Sequence, residues 1–423
     1  MRSVFSFLCV AAVLLGCGSK TEGTSDTPEP SADTPEPSAE TPEPSVSPAP
    51  AKVEALIASS EGADLLARFE CNRCHAGTGL PEPPLEKQCV GCHRQIMAGE
   101  MDGAPEQLAV WKGNLKSLPI APDLAHIGHK LTRTWVSEFL RKPHKVRPGL
   151  PASMPRLSIN ESEAATLASA LVPQLAKDQS FSQAAVGRGA TLFNELNCNA
   201  CHAHGSTPAR PRQYAEGTTP DGDALALAPD LALTRHRFQS GMLVTWLRNP
   251  QGVDPETLMP NFHLTESQAT SIAAFLWFSS EQPPALAPIA ARLPVLEREV
   301  GWEEVFSSVF KTVCWHCHAS ADFAMGDGGA GNTGGFGYPA KGFDVSSYES
   351  IRSGAFGPDG RRRSVFANDE TGVPLLLSVL LARRDEERGH QREERIGMPL
   401  GFPAMTAEQI QLVESWIAQG RPR

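Results

Sequence analysis

Eight of the chain's ten cysteines fall into four Cys-x-x-Cys pairs, and each pair is followed at once by His. The four are Cys71-Asn-Arg-Cys74-His75, Cys89-Val-Gly-Cys92-His93, Cys198-Asn-Ala-Cys201-His202 and Cys314-Trp-His-Cys317-His318. Any fold of this chain must present two thiols and an imidazole on one tight turn, four times over. Two other chemistries use similar spacings. Fourteen residues between Cys74 and Cys89 come close to a zinc ribbon, and thiols in an oxidising compartment can pair as disulfides. Neither accounts for the His after every pair.

The repeated pattern is the attachment signature for c-type haem. Two thiols separated by two residues reach the two vinyl groups of a haem, and the adjacent His lies under the iron as proximal ligand. The sequence therefore predicts four covalently attached haem c groups, held by Cys71, Cys74, Cys89, Cys92, Cys198, Cys201, Cys314 and Cys317. His75, His93, His202 and His318 are the expected proximal ligands. The residues inside each motif read as spacers, and His316 as a solvent-facing one.

The two remaining cysteines belong to an address. Arg2 precedes an apolar stretch, Val4 to Leu15, that is too short to span a bilayer and fits the h-region of a secretory signal. Leu14-Leu15-Gly16-Cys17 closes it and resembles the lipobox of bacterial lipoproteins, which implies cleavage after residue 16 and acylation of Cys17. Gly18 after the Cys leans towards the outer membrane. Residues 17–52 form an acidic, Pro-rich linker with three near-identical heptads starting at Asp26, Asp33 and Glu40. So polar and Pro-rich a segment buries no core and serves as an extended, semi-stiff tether. The net charge of −10 argues against nucleic-acid binding, which needs a basic face.

An internal repeat organises the rest. Pro122-Asp123-Leu124, fourteen residues, Phe139-Leu140-Arg141-Lys142-Pro143 and later Met154-Pro155 match Pro229-Asp230-Leu231, fourteen residues, Trp246-Leu247-Arg248-Asn249-Pro250 and later Met259-Pro260. Upstream, a helix pattern at Gly62 to Phe69 pairs with one at Gly189 to Leu196. Helices at Glu161 to Leu175 and Glu266 to Phe278, each just after a Ser or Thr, close the copies. A third, diverged copy opens with a helix over Val300 to Lys311, passes a Gly-rich stretch at Gly326 to Gly342, and ends in Gly397-Met398-Pro399 and a helix over Gln409 to Gln419.

These landmarks resemble class I cytochrome c. The resemblance implies an all-α fold of tandem cytochrome c-like helical domains: 53–178 with a nested second haem, 179–282, and a diverged one at 296–423. It implies Met154, Met259 and Met398 as the sixth ligands of the haems on the first, third and fourth motifs, with Met405 as a packing residue. The second motif lies in what is a simple loop in the next copy, so its haem must borrow a ligand. Met97, Met101, His126, His129 and His144 are candidates; His129 aligns with His236 in a copy without a second haem, and His144 ranks first.

The function expected is that of a tetrahaem, lipid-tethered carrier, passing electrons between other redox proteins or a membrane respiratory complex in the cell envelope, on the periplasmic side. His-Met ligation fills the iron's coordination and suits a carrier better than a catalyst. No hydrolase, nucleotide or metalloprotease motif is present. Two alternatives stand beside it: a haem enzyme, peroxidase or small-molecule reductase, working at an open sixth position, and a non-redox module docking a membrane complex through the Gly-rich stretch.

Overall fold

The computed structural model describes residues 60–115, 121–150, 154–205, 207–209, 222–279, 286–319, 342–357, 359–392 and 395–423. The signal at 1–16, Cys17, the linker and the Gly326 to Phe336 stretch lie outside the described residues. Helices carry the fold: α1 (Ser60–Arg68), α2 (Cys89–Ala98), α3 (Pro105–Asn114), α4 (Arg133–Arg141) and α5 (Glu161–Leu171) come first. Then follow α6 (Val186–Glu195), α7 (Gly222–Leu227), α8 (Thr234–Arg237), α9 (Ser240–Arg248), α10 (Pro250–Val253) and α11 (Glu266–Phe278). Last are α12 (Trp302–Val305), α13 (Tyr348–Arg352), α14 (Leu375–Glu386) and α15 (Ala407–Ala418). The sheet content of the described residues is one small antiparallel pair, β1 (Ala355–Phe356) with β2 (Arg362–Arg363).

One arrangement occurs three times. A helix that runs into a Cys-x-x-Cys-His motif packs on a helix that closes the segment: α1 on α5, α6 on α11, and α12 on α15. The α6–α11 crossing is close because position 189 is glycine; a Cβ there would lie 2.0 Å from the carbonyl oxygen of Ser271. Phe193 and Phe275 pack their rings at that crossing, with centroids 5.3 Å apart. Each pair has its own apolar core, with Leu66, Phe69 and Leu167 in the first, Phe193, Leu243 and Ile272 in the second, and Val305, Phe310 and Trp416 in the third.

The closing helices start at capping boxes, in which a side-chain oxygen and a residue three positions on satisfy each other's free N–H groups. Thr265 with Gln268 and Thr406 with Gln409 do this for α11 and α15. For α5 the cap is Asn160 with Glu163, not an upstream Ser, and the helix stops at Leu171 rather than Leu175. Pro173 explains the early stop, since the residue before a proline is driven out of helical geometry. The opening helix of the third copy is also not uniform: α12 passes into a π-helical turn at Phe306–Phe310 before the motif. No helix among the described residues is long and apolar enough to cross a membrane.

Candidate haem-attachment sites

Three of the motifs take the same local shape. Cys71–Arg73, Cys198–Ala200 and Cys314–His316 are single 3-10 turns. In each, the following His donates its backbone N–H to the carbonyl of the first Cys, at 3.0, 3.0 and 2.9 Å for His75, His202 and His318. Entry to the first two turns runs through left-handed residues, Glu70 (φ 48°) and Asn197 (φ 58°). Asn tolerates that region and Glu less so. The third turn is entered through Val313 at φ −141°, as a β-branched residue requires.

The imidazoles are locked by a second element. His75 Nδ1 donates to the carbonyl of Pro122 at 2.8 Å and His202 Nδ1 to that of Pro229 at 2.9 Å. His318 hydrogen-bonds the backbone of Phe343. A carbonyl only accepts, so for His75 and His202 the proton sits on Nδ1 and Nε2 keeps the lone pair a metal needs. Burial holds all three rings below the usual imidazole range, outweighing the backbone hydrogen bonds and the nearby Asp123, Asp230 and Asp344, which pull the other way. They are neutral donors.

Those aspartates shape the locking turn. Asp123, Asp230 and Asp344 accept the backbone N–H two residues on, from Ala125, Ala232 and Ser346, at 2.8 Å in every case. The next residue closes the turn onto the motif: Leu124 N donates to Ala76 O at 3.0 Å, Leu231 N to Ala203 O at 2.9 Å, and Val345 N to His318 O at 2.7 Å. Phe343-Asp344-Val345 is thus the third copy's counterpart of Pro-Asp-Leu, which the sequence reading missed. Phe in place of Pro and the Gly-rich insertion hide the match.

The second motif is different. Cys89, Cys92 and His93 lie on α2, a regular helix, with Cys92 N bonded to Gln88 O at 2.9 Å and His93 buried. The insertion that carries it is built from helices α2 and α3. Arg73 joins it to the first motif. Read from sequence as a spacer, Arg73 is buried, with Nη1 2.9 Å from Glu70 Oε2 and Nε donating to Lys87 O at 3.0 Å, two residues before Cys89. The Cys74 and Cys89 thiols act on each other: the pairing, with burial, pushes Cys74 up and, with the Arg73 charge, draws Cys89 down against the effect of burial. Cys317 lies within electrostatic reach of both Cys89 and Arg73.

The expected distal ligands occupy varied settings. Met259 is half-buried against the second core together with Cys198, with its carbonyl held by Gln251 Nε2 at 2.7 Å. Met154 is half-buried next to buried Pro155 and Arg156. Met398 is half-buried, with its N–H on Val379 O at 2.9 Å. Met405 is buried in the third core, a packing residue. His144 makes its contacts with α4 and its end: Nδ1 to Lys142 O at 3.1 Å, and ring edges to Phe139 and Trp135 at 5.4 and 6.2 Å. None of these contacts reaches His93. Met97 is 47% exposed, one turn beyond His93 on the same helix, and cannot reach the opposite side of an iron that His93 holds. The side chain of His316 lies outside the described residues.

The donor set fits covalent haem. None of the eight described cysteines forms a disulfide, and each pair is followed by an imidazole within one turn. No group of three or more His, Cys, Asp or Glu among the described residues is gathered to hold a metal ion alone, as a zinc ribbon requires.

Comparison with known proteins agrees over part of the chain. Residues 186–279 match the family model described as Cytochrome c. No curated protein and no solved structure matches the chain. The chain carries a c-type cytochrome domain over those residues, which implies covalently bound haem c there and a haem-based electron-transfer role in general.

Proposed function

We propose that the chain is a tetrahaem c-type cytochrome that relays single electrons between redox partners of the cell envelope. The reading extends the domain at 186–279 to two more copies, 53–178 and 296–423, with a linker at 17–52 that tethers them through a lipid on Cys17. The observation that carries it is buried Arg73, inside the first motif, whose Nε donates to Lys87 O at 3.0 Å, two residues before Cys89 of the second. Groups linked to two motifs joined in this way stand side by side, as a relay needs and a lone catalytic site does not.

When bound, each haem supplies a one-electron change between ferric and ferrous iron. The chain's own residues do the rest. Paired cysteines would fix each group covalently, and His75 and His202 would present Nε2, with His318 beside them, from rings pinned by backbone acceptors, so that little reorganisation is needed as the charge changes. Met154, Met259 and Met398 would supply thioether sulfur to complete the coordination, a ligand that favours the ferrous state. The apolar cores behind the turns exclude water. Basic or neutral redox proteins, or a membrane respiratory complex, are the partners, since a chain of net charge −10 attracts basic surfaces.

Intact mass, a haem assay after acid–solvent extraction, and a spectroscopically followed redox titration test this together. Four covalent haems titrating as one-electron centres are expected. Three or fewer on fully matured protein, or tightly bound zinc, would overturn the reading. Carbon monoxide binding at one haem of the untreated protein would favour an enzyme acting at the second motif.

A further inference from the structure

The first and third copies meet at one buried carboxylate. Glu386 is the last residue of α14, and its side chain is 4% exposed. Its Oε1 accepts the backbone N–H of Gly397, the residue before Met398, at 2.9 Å. The same oxygen faces Arg156 Nη1 at 3.4 Å, and Arg156 follows Met154-Pro155. Its Oε2 lies 3.5 Å from Arg383 Nη1. The two Met-Pro segments, distant in sequence, therefore meet at one oxygen of one side chain.

The surroundings leave this group little freedom. A Cβ at Gly397 would lie 2.4 Å from the backbone of Arg383 and 2.7 Å from Glu386 Oε2, so only glycine lets the Met398 segment come this close. Arg383 Nε donates to Phe402 O at 2.9 Å, which holds the far side of the same loop. Arg156 Nη1 also donates to the carbonyls of Arg392 and Arg395, at 2.5 and 3.1 Å. Leu400 then packs against the first copy's core. A buried carboxylate at a helix C-terminus is unfavourable by itself, since the helix dipole is negative there and water is excluded. Two guanidiniums and a backbone N–H offset that cost, and a hydrophobic packing residue would have filled the same space more simply.

We propose that Glu386 is a positioning residue shared by the loops of Met154 and Met398, so that a disturbance of either loop is felt at the other. The inference rests on the reading of both methionines as axial ligands. Its mechanism is geometric. Arg156 and the Gly397 N–H share one oxygen, so moving or removing one lets the carboxylate shift against the other. Met259 lies on the separate core around Phe193, Leu243 and Ile272, and its haem serves as an internal control.

The test uses the full-length, haem-loaded protein and reads the sulfur-to-iron charge-transfer absorption and midpoint potential of each haem. Met154→Ala and Met398→Ala assign the bands, each deleting one; Met259→Ala assigns the control. Glu386→Gln is expected to shift or weaken the Met154 and Met398 bands together and to leave the Met259 band unchanged. Arg156→Met keeps Glu386 paired with Arg383, and serves if Glu386→Gln fails to fold; it is expected to move the Met398 band although Arg156 lies in the other loop. Movement of the Met154 band alone, or of neither, overturns the shared role while the ligand reading stands. Bands that survive both Met→Ala changes overturn the ligand reading, and the proposal with it.

Discussion

Leu131 and Phe238 face each other in an antiparallel backbone bridge, and each is the ninth residue after the proline of its own Pro-Asp-Leu segment. The bonds on either side exchange in the same way: Thr132 N donates to Arg237 O at 2.9 Å, and Gln239 N to Lys130 O at 2.8 Å. Thr132 and Gln239 are equivalent, as are Lys130 and Arg237. A surface that meets its own copy through equivalent residues has a local two-fold axis, the geometry of an isologous dimer here built into one chain. The two segments thus brace each other through equivalent residues, just beyond the turns that lock His75 and His202.

Gln239 holds that joint. Its Nε2 donates to Gly128 O and Leu131 O, at 3.0 and 2.9 Å, and its Oε1 accepts from Ala176 N at 2.6 Å, all while buried. Gln239→Ala leaves three backbone groups without partners, so a loss of about 2–4 kcal/mol is expected, seen as a lower denaturant midpoint. An unchanged midpoint would mean that water replaces the amide.

The two-fold relation breaks in its charges. Lys130 pairs with Asp254 at 2.6 Å. The equivalent positions in the other half are Arg237 and Arg147, both cationic, and Arg237 is drawn down to about 10 by burial first and by Arg147 second. Arg237 also acts on His202. A buried positive charge beside a redox centre favours the reduced, less positive state. Arg237→Leu should therefore lower the midpoint potential of the haem on His202, by on the order of 1 kcal/mol or roughly 40 mV at an effective dielectric near 20. The haem on His75 should not follow; spectroelectrochemistry separates the two, and an upward shift would refute the sign.

Met259→Ala should abolish the charge-transfer absorption of one haem and lower its potential, because thioether ligation favours ferrous iron. Met259 also packs on the second core, so some loss of stability is expected with it. Visible spectra and a titration of the variant check both effects. A lower midpoint of unfolding with an unaltered spectrum would reduce Met259 to a packing residue.

The cysteine motifs and the helix pairs around them were legible because each rests on local chemistry: a fixed thiol spacing, a cap, an apolar stripe. The Pro-Asp-Leu turns were visible as a repeat, but their task, accepting the hydrogen bond from Nδ1–H of His75 and His202, was not, since a backbone carbonyl leaves no mark on composition. Phe343-Asp344-Val345 stayed hidden because only its aspartate matches. Arg73 read as a spacer for a similar reason: its partners, Glu70 and the carbonyl of Lys87, are set by the helix that follows. The joint at Leu131 and Phe238, and the meeting of Arg156 with Glu386, are long-range pairings that no local periodicity announces.

Cys17→Ser tests the tether. On the proposed lipoprotein reading Cys17 is the one sulfur open to acylation, so the variant should lose a metabolically incorporated fatty-acid label and fractionate away from membranes, or persist with its signal uncut. Label retained by the serine variant would refute the anchor.

The sharpest question concerns the second motif, and His144 is where it is answered. His144 Nδ1 donates to the carbonyl of Lys142 at 3.1 Å, which leaves Nε2 as the nitrogen outside that bond. Its edges rest on Phe139 and Trp135, so ligation requires the segment after α4 to bring Nε2 towards α2, and Gln391 Nε2 on Pro143 O at 2.8 Å ties that segment to the third copy. If His144 binds, the protein shows one haem with two nitrogen ligands among three with nitrogen and sulfur, and His144→Ala opens that one to carbon monoxide while Met259's haem stays closed. Carbon monoxide binding by the unaltered protein would remove His144 from the coordination sphere and move the second haem from relay to reaction site.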